Sequence, residues 1–168
     1  MNRQRGGGRA APSEPASLVI RRLQPGDRDA ALAVWERSVR ATHHFLAPAD
    51  IDAFRPMVGE ILAGSLLDLW VLADRQDAPI GFLGLSEGAI QALFLDPEYR
   101  GQGNGRALVA HAQRLLGGAL SVDVNEQNLA ARGFYEALGF VTIGRSPLDG
   151  TGRPYPLLHM RRPPPAGG

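Results

Sequence analysis

The chain contains no cysteine, and that absence excludes thiolate catalysis, zinc–thiolate centres and disulfide staples. Lysine is missing as well: all 18 basic residues are arginine. No side-chain amine is therefore available for a Schiff base, for lysine-assisted phosphoryl transfer, or as an internal target of acylation. No apolar run approaches the roughly 20 residues that cross a membrane. The N-terminus lacks the apolar core of a secretory signal, so a cytoplasmic protein with no membrane partner is expected. A net charge of +1 offers no broad field for nucleic acid. What is present is 168 residues, 44% of them apolar, enough for one domain with a proper core.

Residues 1–16, with Gly6, Gly7, Gly8 and scattered arginine and proline, show no apolar periodicity and read as a disordered tail; residues 163–168 read as a second, shorter one. Between them, residues 17–162 form a single domain. A short strand, Leu18–Leu23, precedes a helix capped by Asp27 with Ala31, Leu32, Trp35 and Val39 on one face. A loop with His43 and His44 leads to a second helix that turns Ile51, Phe54, Val58, Ile61 and Leu62 inward, kinked or broken at Pro56. Strands follow over 69–73, 80–85 and 89–95. A third helix carries Leu108, Val109, Ala112, Leu115 and Leu116 and stops at Gly117-Gly118. A strand over 120–124, a helix over 126–138, and strands over 140–143 and 154–160 complete the pattern. Hairpins come first and β-α-β units later, so the expectation is an α/β (α+β) domain with a mixed sheet.

The most informative stretch is Leu93-Phe94-Leu95-Asp-Pro-Glu-Tyr-Arg100-Gly101-Gln102-Gly103-Asn104-Gly105-Arg106. An apolar strand ends, and a glycine-rich loop opens an amphipathic helix. Unpaired N–H groups at a helix N-terminus bind phosphate through hydrogen bonds and the helix dipole. A P-loop would need Lys and Ser or Thr after its last glycine, but Arg106 and Ala107 stand there. A dinucleotide fingerprint needs glycine at its sixth position, which Arg106 occupies, and an earlier place in the chain. A ligand-free glycine turn is the remaining alternative.

Arg100-x-x-Gly103-x-Gly105 resembles the acyl-CoA signature of the GNAT superfamily of N-acetyltransferases. The strand before it and Asn125-Glu-Gln-Asn128…Gly133-Phe-Tyr135-Glu-Ala-Leu-Gly139-Phe140 are similar to the same family. Arg40-Ala-Thr-His43-His-Phe-Leu46 and Gly152-Arg-Pro-Tyr155-Pro-Leu-Leu158 resemble its bacterial YjaB-like branch. The likeness spans residues 18–160. It implies a mostly antiparallel sheet of six or seven strands flanked by about four helices, and acetyl-CoA as co-substrate without a metal.

It also implies roles. Amides of Gly101 to Arg106 would hold the diphosphate while the Arg100 side chain braces the loop, and the pantetheine arm would pair with Leu93-Phe94-Leu95. Asn128 would touch the cofactor, and Tyr135, on the same helical stripe, would reprotonate the departing thiolate, unless it is only a half-buried aromatic. The amine must lose a proton, for which Asp123, Glu36, His43 and His44 are candidates. Asp123 stands where that branch carries asparagine; it is either a base, a charge selector, or a solvated aspartate. Glu36, His43, His44 and Tyr155 are candidates for the acceptor side, while the histidine pair lacks companions for a metal site. With no cysteine to carry an acetyl group, direct transfer in a ternary complex is expected. The acceptor is a small-molecule or protein amine, and a monomer or homodimer is expected. The alternative is a non-catalytic acyl-CoA sensor.

Overall fold

The computed structural model describes residues 18–167, so the tail expected over 1–16 lies outside the described residues. The elements are β1 (Val19–Arg22), α1 (Arg28–Thr42), α2 (Pro48–Ala63), β2 (Asp68–Ala73), β3 (Pro79–Ser86), β4 (Ala89–Leu95), α3 (Asn104–Leu116), β5 (Leu120–Asn125), α4 (Leu129–Ala137), β6 (Val141–Ser146) and β7 (Leu157–Arg162). They build one seven-stranded sheet in the order β1-β2-β3-β4-β5-β7-β6. Every pairing is antiparallel except β4 with β5. The mixed, mostly antiparallel sheet and the four helices match the sequence-based expectation.

Alternation along the central strands feeds two cores. Phe82 of β3, with Leu69 and Val71 of β2, packs beneath α1 and α2 against Val34, Trp35, Val39 and Leu62. Leu83 and Leu85, with Leu72, Val122, Val124, Leu158 and Met160, face α3 and α4 and meet Leu108, Val109, Ala112 and Tyr135. The α1/α2 cluster contains no residue of β5, β6 or β7, so that half of the sheet carries α3 and α4 on one face alone.

Several local expectations are corrected. Of the kink or break expected at Pro56, the break does not occur: helix α2 runs through it, and its buried Ile51 and Leu62, on either side, hold it against α1 and outweigh the one lost N–H bond. Ile61, expected inward, is exposed at 39%, and Leu115, one of the apolar positions of the third helix, at 44%. Asp27 does not cap α1 with its side chain; it sits in a 3-10 turn, and its carboxylate accepts from the Gln24 amide at 2.7 Å and from Arg21 at 2.7 and 3.0 Å. Helix α4 starts at Leu129 rather than 126, because Asn128 ends the preceding turn and caps the helix. The last strand begins at Leu157, three residues later than expected.

The two leucines of α3 give a direct check. Leu108 is wholly buried, so Leu108→Ala should lower the free energy of unfolding by about 2–5 kcal/mol in urea titrations. Leu115→Ala should shift it by less than about 1 kcal/mol, since the residue already meets solvent.

Candidate active site

A single extra residue in β4 opens the site. The β3–β4 register pairs Gly84 with Ala92 and Leu85 with Ile90, leaving Gln91 as a bulge. A bulge bends its strand and adds twist. On the other side, β4 pairs with β5 only at Ala89↔Ser121 and Ile90↔Val122, immediately before that bulge. Beyond it the two strands part. Asp96 N–H donates to Ile80 O on β3 at 2.8 Å. Alternation then turns the N–H groups of Leu93 and Leu95 the other way, toward the gap that β5 has left.

One cavity, of about 400 Å³, lies on the α3/α4 side of this gap. Leu93, Phe94 and Leu95 form its floor, and Arg100, Gly101, Gly103, Asn104, Gly105 and Arg106 form its end. No amide from Gly101 to Arg106 finds an acceptor among the described residues; the first α3 bond is Ala107 N–H to Gly103 O at 3.0 Å. The three glycines serve different ends. Gly101 and Gly103 adopt φ of 71° and 83°, a left-handed backbone that other residues rarely take, in otherwise open space. At Gly105 a Cβ would stand 3.0 Å from Phe134 Cζ, so that glycine lets α3 approach α4. Arg100 donates through Nη2 to Ser38 Oγ at 2.9 Å and Ser38 O at 3.3 Å, tying the loop to α1. Gln102 bonds back to Glu98 O at 3.0 Å, and the Asn104 side chain to Tyr99 O at 2.9 Å.

A second cavity, of about 120 Å³, lies where β4 and β5 separate, lined by Gln91, Ala92, Asp123 and Asn125 among others. The two cavities share His43, Leu93, Phe94, Asn128, Ala131 and Tyr135. Tyr135 is 6% exposed and packs edge-on against Phe134 and Phe140 at 5.0 and 5.3 Å. Burial pushes its phenol well above the ordinary tyrosine value, so it holds its proton across the physiological range. Asn128 Oδ1 accepts from the Ala131 amide at 3.1 Å, which leaves the Nδ2 donors for the cavity.

The smaller cavity offers hydrogen-bond acceptors. Asn125 Oδ1 is buried without a partner among the described residues, and Asp123 is the one carboxylate in the lining. Asp123 lies opposite His159 on β7; Nδ1 of His159 stands 2.6 Å from Asp123 Oδ1, and Nε2 stands 2.7 Å from Ser146 Oγ. An ionised carboxylate only accepts, so Nδ1 carries the hydrogen. The Asp123 side chain remains 57% exposed, and the cavity opens at this edge toward solvent.

The acetyltransferase (GNAT) domain model matches residues 66–142. The chain is 44% identical over 148 residues to the peptidyl-lysine N-acetyltransferase YjaB of Salmonella typhimurium, across 87% of this chain and 99% of that one. It superposes on the solution structure of apo YjaB from Escherichia coli with a TM-score of 0.80 and 41% identity, covering 86% of this chain and 97% of the other. The chain belongs to the GNAT acetyltransferase family. A PaiA N-acetyltransferase from Thermoplasma acidophilum, solved in complex with coenzyme A, shares the fold at a TM-score of 0.69 and 19% identity, over 88% and 99% of the two chains.

Within this GNAT N-acetyltransferase, the structure brings together most of the candidates named from sequence and leaves some apart. Leu93, Phe94, Leu95, Arg100, Gly101, Gly103, Asn104, Gly105, Arg106, Asn128, Tyr135 and His43 line the larger cavity, and Asp123 joins them from the smaller one. Asn128 and Tyr135 meet there although Asn128 precedes α4, so the shared helical stripe is corrected to a cap and a helix face. Gln102 lines neither cavity. Glu36 lines neither cavity: Arg40 and Arg55 hold its carboxylate at 3.0 and 3.1 Å and keep it below the usual range. His44 is exposed and also lines neither. The Tyr155 hydroxyl donates to Asp50 and accepts from the Ala47 amide, pinning the start of α2; Tyr155 reaches the site only through Phe45, whose ring contacts His43. Among the described residues no group of three or more His, Cys, Asp or Glu could hold a metal, and no helix is long and apolar enough to cross a membrane. Sequence reasoning missed Ser38, Thr42 and Asn125. Ser38 and Thr42 are four apart on α1 and so share a face, but nothing in the sequence says that Arg100 meets it.

Burial, the Arg100 charge and His44 push the His43 imidazole down to about 4. A two-dimensional NMR titration should therefore leave the His43 ring neutral at pH 5.5, where an ordinary histidine is mostly charged. The unfolded chain binds this proton at about pH 6.5 and the folded chain at about 4, so the linked stability is present above 6.5 and is lost as pH falls through that window.

Proposed function

We propose that this enzyme transfers the acetyl group of acetyl-CoA to the side-chain amine of a protein lysine, by direct attack within a ternary complex. The observation that carries this is the meeting of two cavities of opposite character at Tyr135, Leu93 and Phe94. The end of the larger one presents unpaired amides at a helix N-terminus, which suits the diphosphate of coenzyme A. Its length runs along β4, whose Leu93 and Leu95 N–H groups suit pairing with the pantetheine arm and polarisation of the acetyl carbonyl. The Asn128 Nδ2 donors suit the same arm.

The smaller cavity suits a cation. Asp123 and the unpartnered Asn125 Oδ1 attract an ammonium, and the lining holds no arginine to repel it. Because the Asp123 edge stands open, a lysine side chain carried on a larger protein can enter, and the YjaB relative, a peptidyl-lysine N-acetyltransferase, points to the same acceptor class. Tyr135 then acts as general acid: as the C–S bond breaks, the sulfur takes the phenolic proton. The chain has no thiol on which an acetyl group could rest between donor and acceptor, which favours direct attack.

A thiol-release assay with acetyl-CoA, a lysine peptide and a panel of small amines tests this. Release with the peptide, matched by one acetyl group per lysine in mass spectrometry, is expected. Preference for a free small amine would replace the acceptor, and acetyl-CoA binding with no release from any amine would support the acyl-CoA sensor. Tyr135→Phe should lower kcat by about 100-fold while the calorimetric Kd for acetyl-CoA stays within about 2-fold. Asp123→Asn should act mainly on KM for the peptide, raising it by about 5- to 10-fold, the scale of a partly solvated charge contact.

A further inference from the structure

A buried tyrosine can give a proton to sulfur, but it cannot take one from the nitrogen that attacks. Among the six residues shared by both cavities, only Tyr135 and His43 carry titratable side chains. His43 terminates α1, and its ring is fixed in one tautomer by a chain of hydrogen bonds. Thr42 Oγ1 lies 2.7 Å from the Ser38 carbonyl oxygen, which can only accept, so the Thr42 hydrogen points there. Thr42 Oγ1 also lies 2.8 Å from His43 Nδ1. With its one hydrogen used, the hydroxyl accepts, and Nδ1 must carry the proton. Nε2 then keeps its lone pair, and no hydrogen bond to it forms among the described residues. The chain is anchored at Arg100, which grips both Ser38 Oγ and Ser38 O. The glycine loop and the imidazole are thus held by one five-residue stretch of α1, Ser38 to Thr42.

We propose that His43 is the catalytic base, its Nε2 taking the proton from the amine nitrogen as that nitrogen bonds to the thioester carbon. This rests on the acetyl-transfer function proposed above. The lysine ammonium first releases one proton to water past the exposed Asp123, and the neutral amine attacks. The N–C bond forms, the second nitrogen proton passes to Nε2, and the C–S bond breaks with Tyr135 protonating the sulfur. Imidazolium and phenolate then exchange their proton, so one proton leaves per turnover. The nearby Arg100 charge and the apolar surroundings disfavour a lasting imidazolium, which returns the base promptly. The rivals are worse placed. Asp123 lines only the acceptor cavity and His159 lines neither. Glu36 lines neither and is held by two arginines.

The tautomer is tested without activity: 15N-detected imidazole spectra of the unaltered protein should show His43 as the Nδ1–H form, with Thr42→Val losing that preference and Thr42→Ser keeping it. An Nε2–H ring in the unaltered protein overturns the proposal whether or not the enzyme turns over. For catalysis, His43→Gln should lower kcat/KM for a lysine peptide by about 100-fold with acetyl-CoA affinity unchanged. The loss should shrink to less than about 10-fold for weakly basic acceptors such as a hydrazide, whose attached nitrogen sheds its proton unaided. An equal loss across the series, or none, overturns the assignment. Absence of thiol release from the unaltered enzyme with every acceptor would instead sink the acetyl-transfer function, leaving the tautomer result to stand by itself.

Discussion

The site depends on β4 leaving β5. Two parallel pairs join these strands, and the bulge at Gln91 then turns β4 away while it stays bonded to β3. A continuous sheet would saturate the N–H groups of Leu93 and Leu95 and close the space between the strands. Parting them produces the cleft and the unpaired backbone along one wall in a single step. The candidate site residues that line the two cavities are arranged around that wedge. The glycine loop lies at one end, α4 presents Tyr135 from below, and the end of α1 presents His43 across the gap.

Around the wedge the electrostatics are divided in space. The α3 N-terminus concentrates unpaired donors where an anion fits, and the β5 edge concentrates acceptors where a cation fits. Between them stand a phenol that burial keeps protonated and an imidazole that burial keeps neutral. Both shifts have the same first cause, the poor solvation of charge in an apolar cleft, yet they hold one group as a donor and the other as an acceptor. The half of the sheet without α1 and α2 leaves Asp123 open to water, which suits an acceptor that arrives on a larger body.

The loop was legible because its chemistry is local. Helix N-terminal amides and left-handed glycines act within a few residues, so Gly101, Gly103 and the start of α3 could be read from spacing. Tyr135 and Asn128 were found by family pattern, although Asn128 turned out to cap the helix rather than lie on it. Glu36 and Tyr155 looked equally chemical in sequence. Their partners, two arginines for one and Asp50 for the other, come from elsewhere in the chain, so no local pattern could show them occupied. Gly105 shows the same limit: its need for a missing side chain comes from Phe134, 29 positions later.

By itself, then, the sequence determined the order of elements, the glycine-rich loop that opens α3, the lack of any thiol or lysine amine, and the family. These follow from hydrophobic period, turn chemistry and composition, all of which act over short stretches. The tertiary structure decided where the strands part, which carboxylate lines the smaller cavity, and which nitrogen of His43 keeps its lone pair. Those outcomes depend on pairing register and on hydrogen bonds between residues as far apart as Ser38 and Arg100. Such contacts exist only once the sheet has set the distances between them.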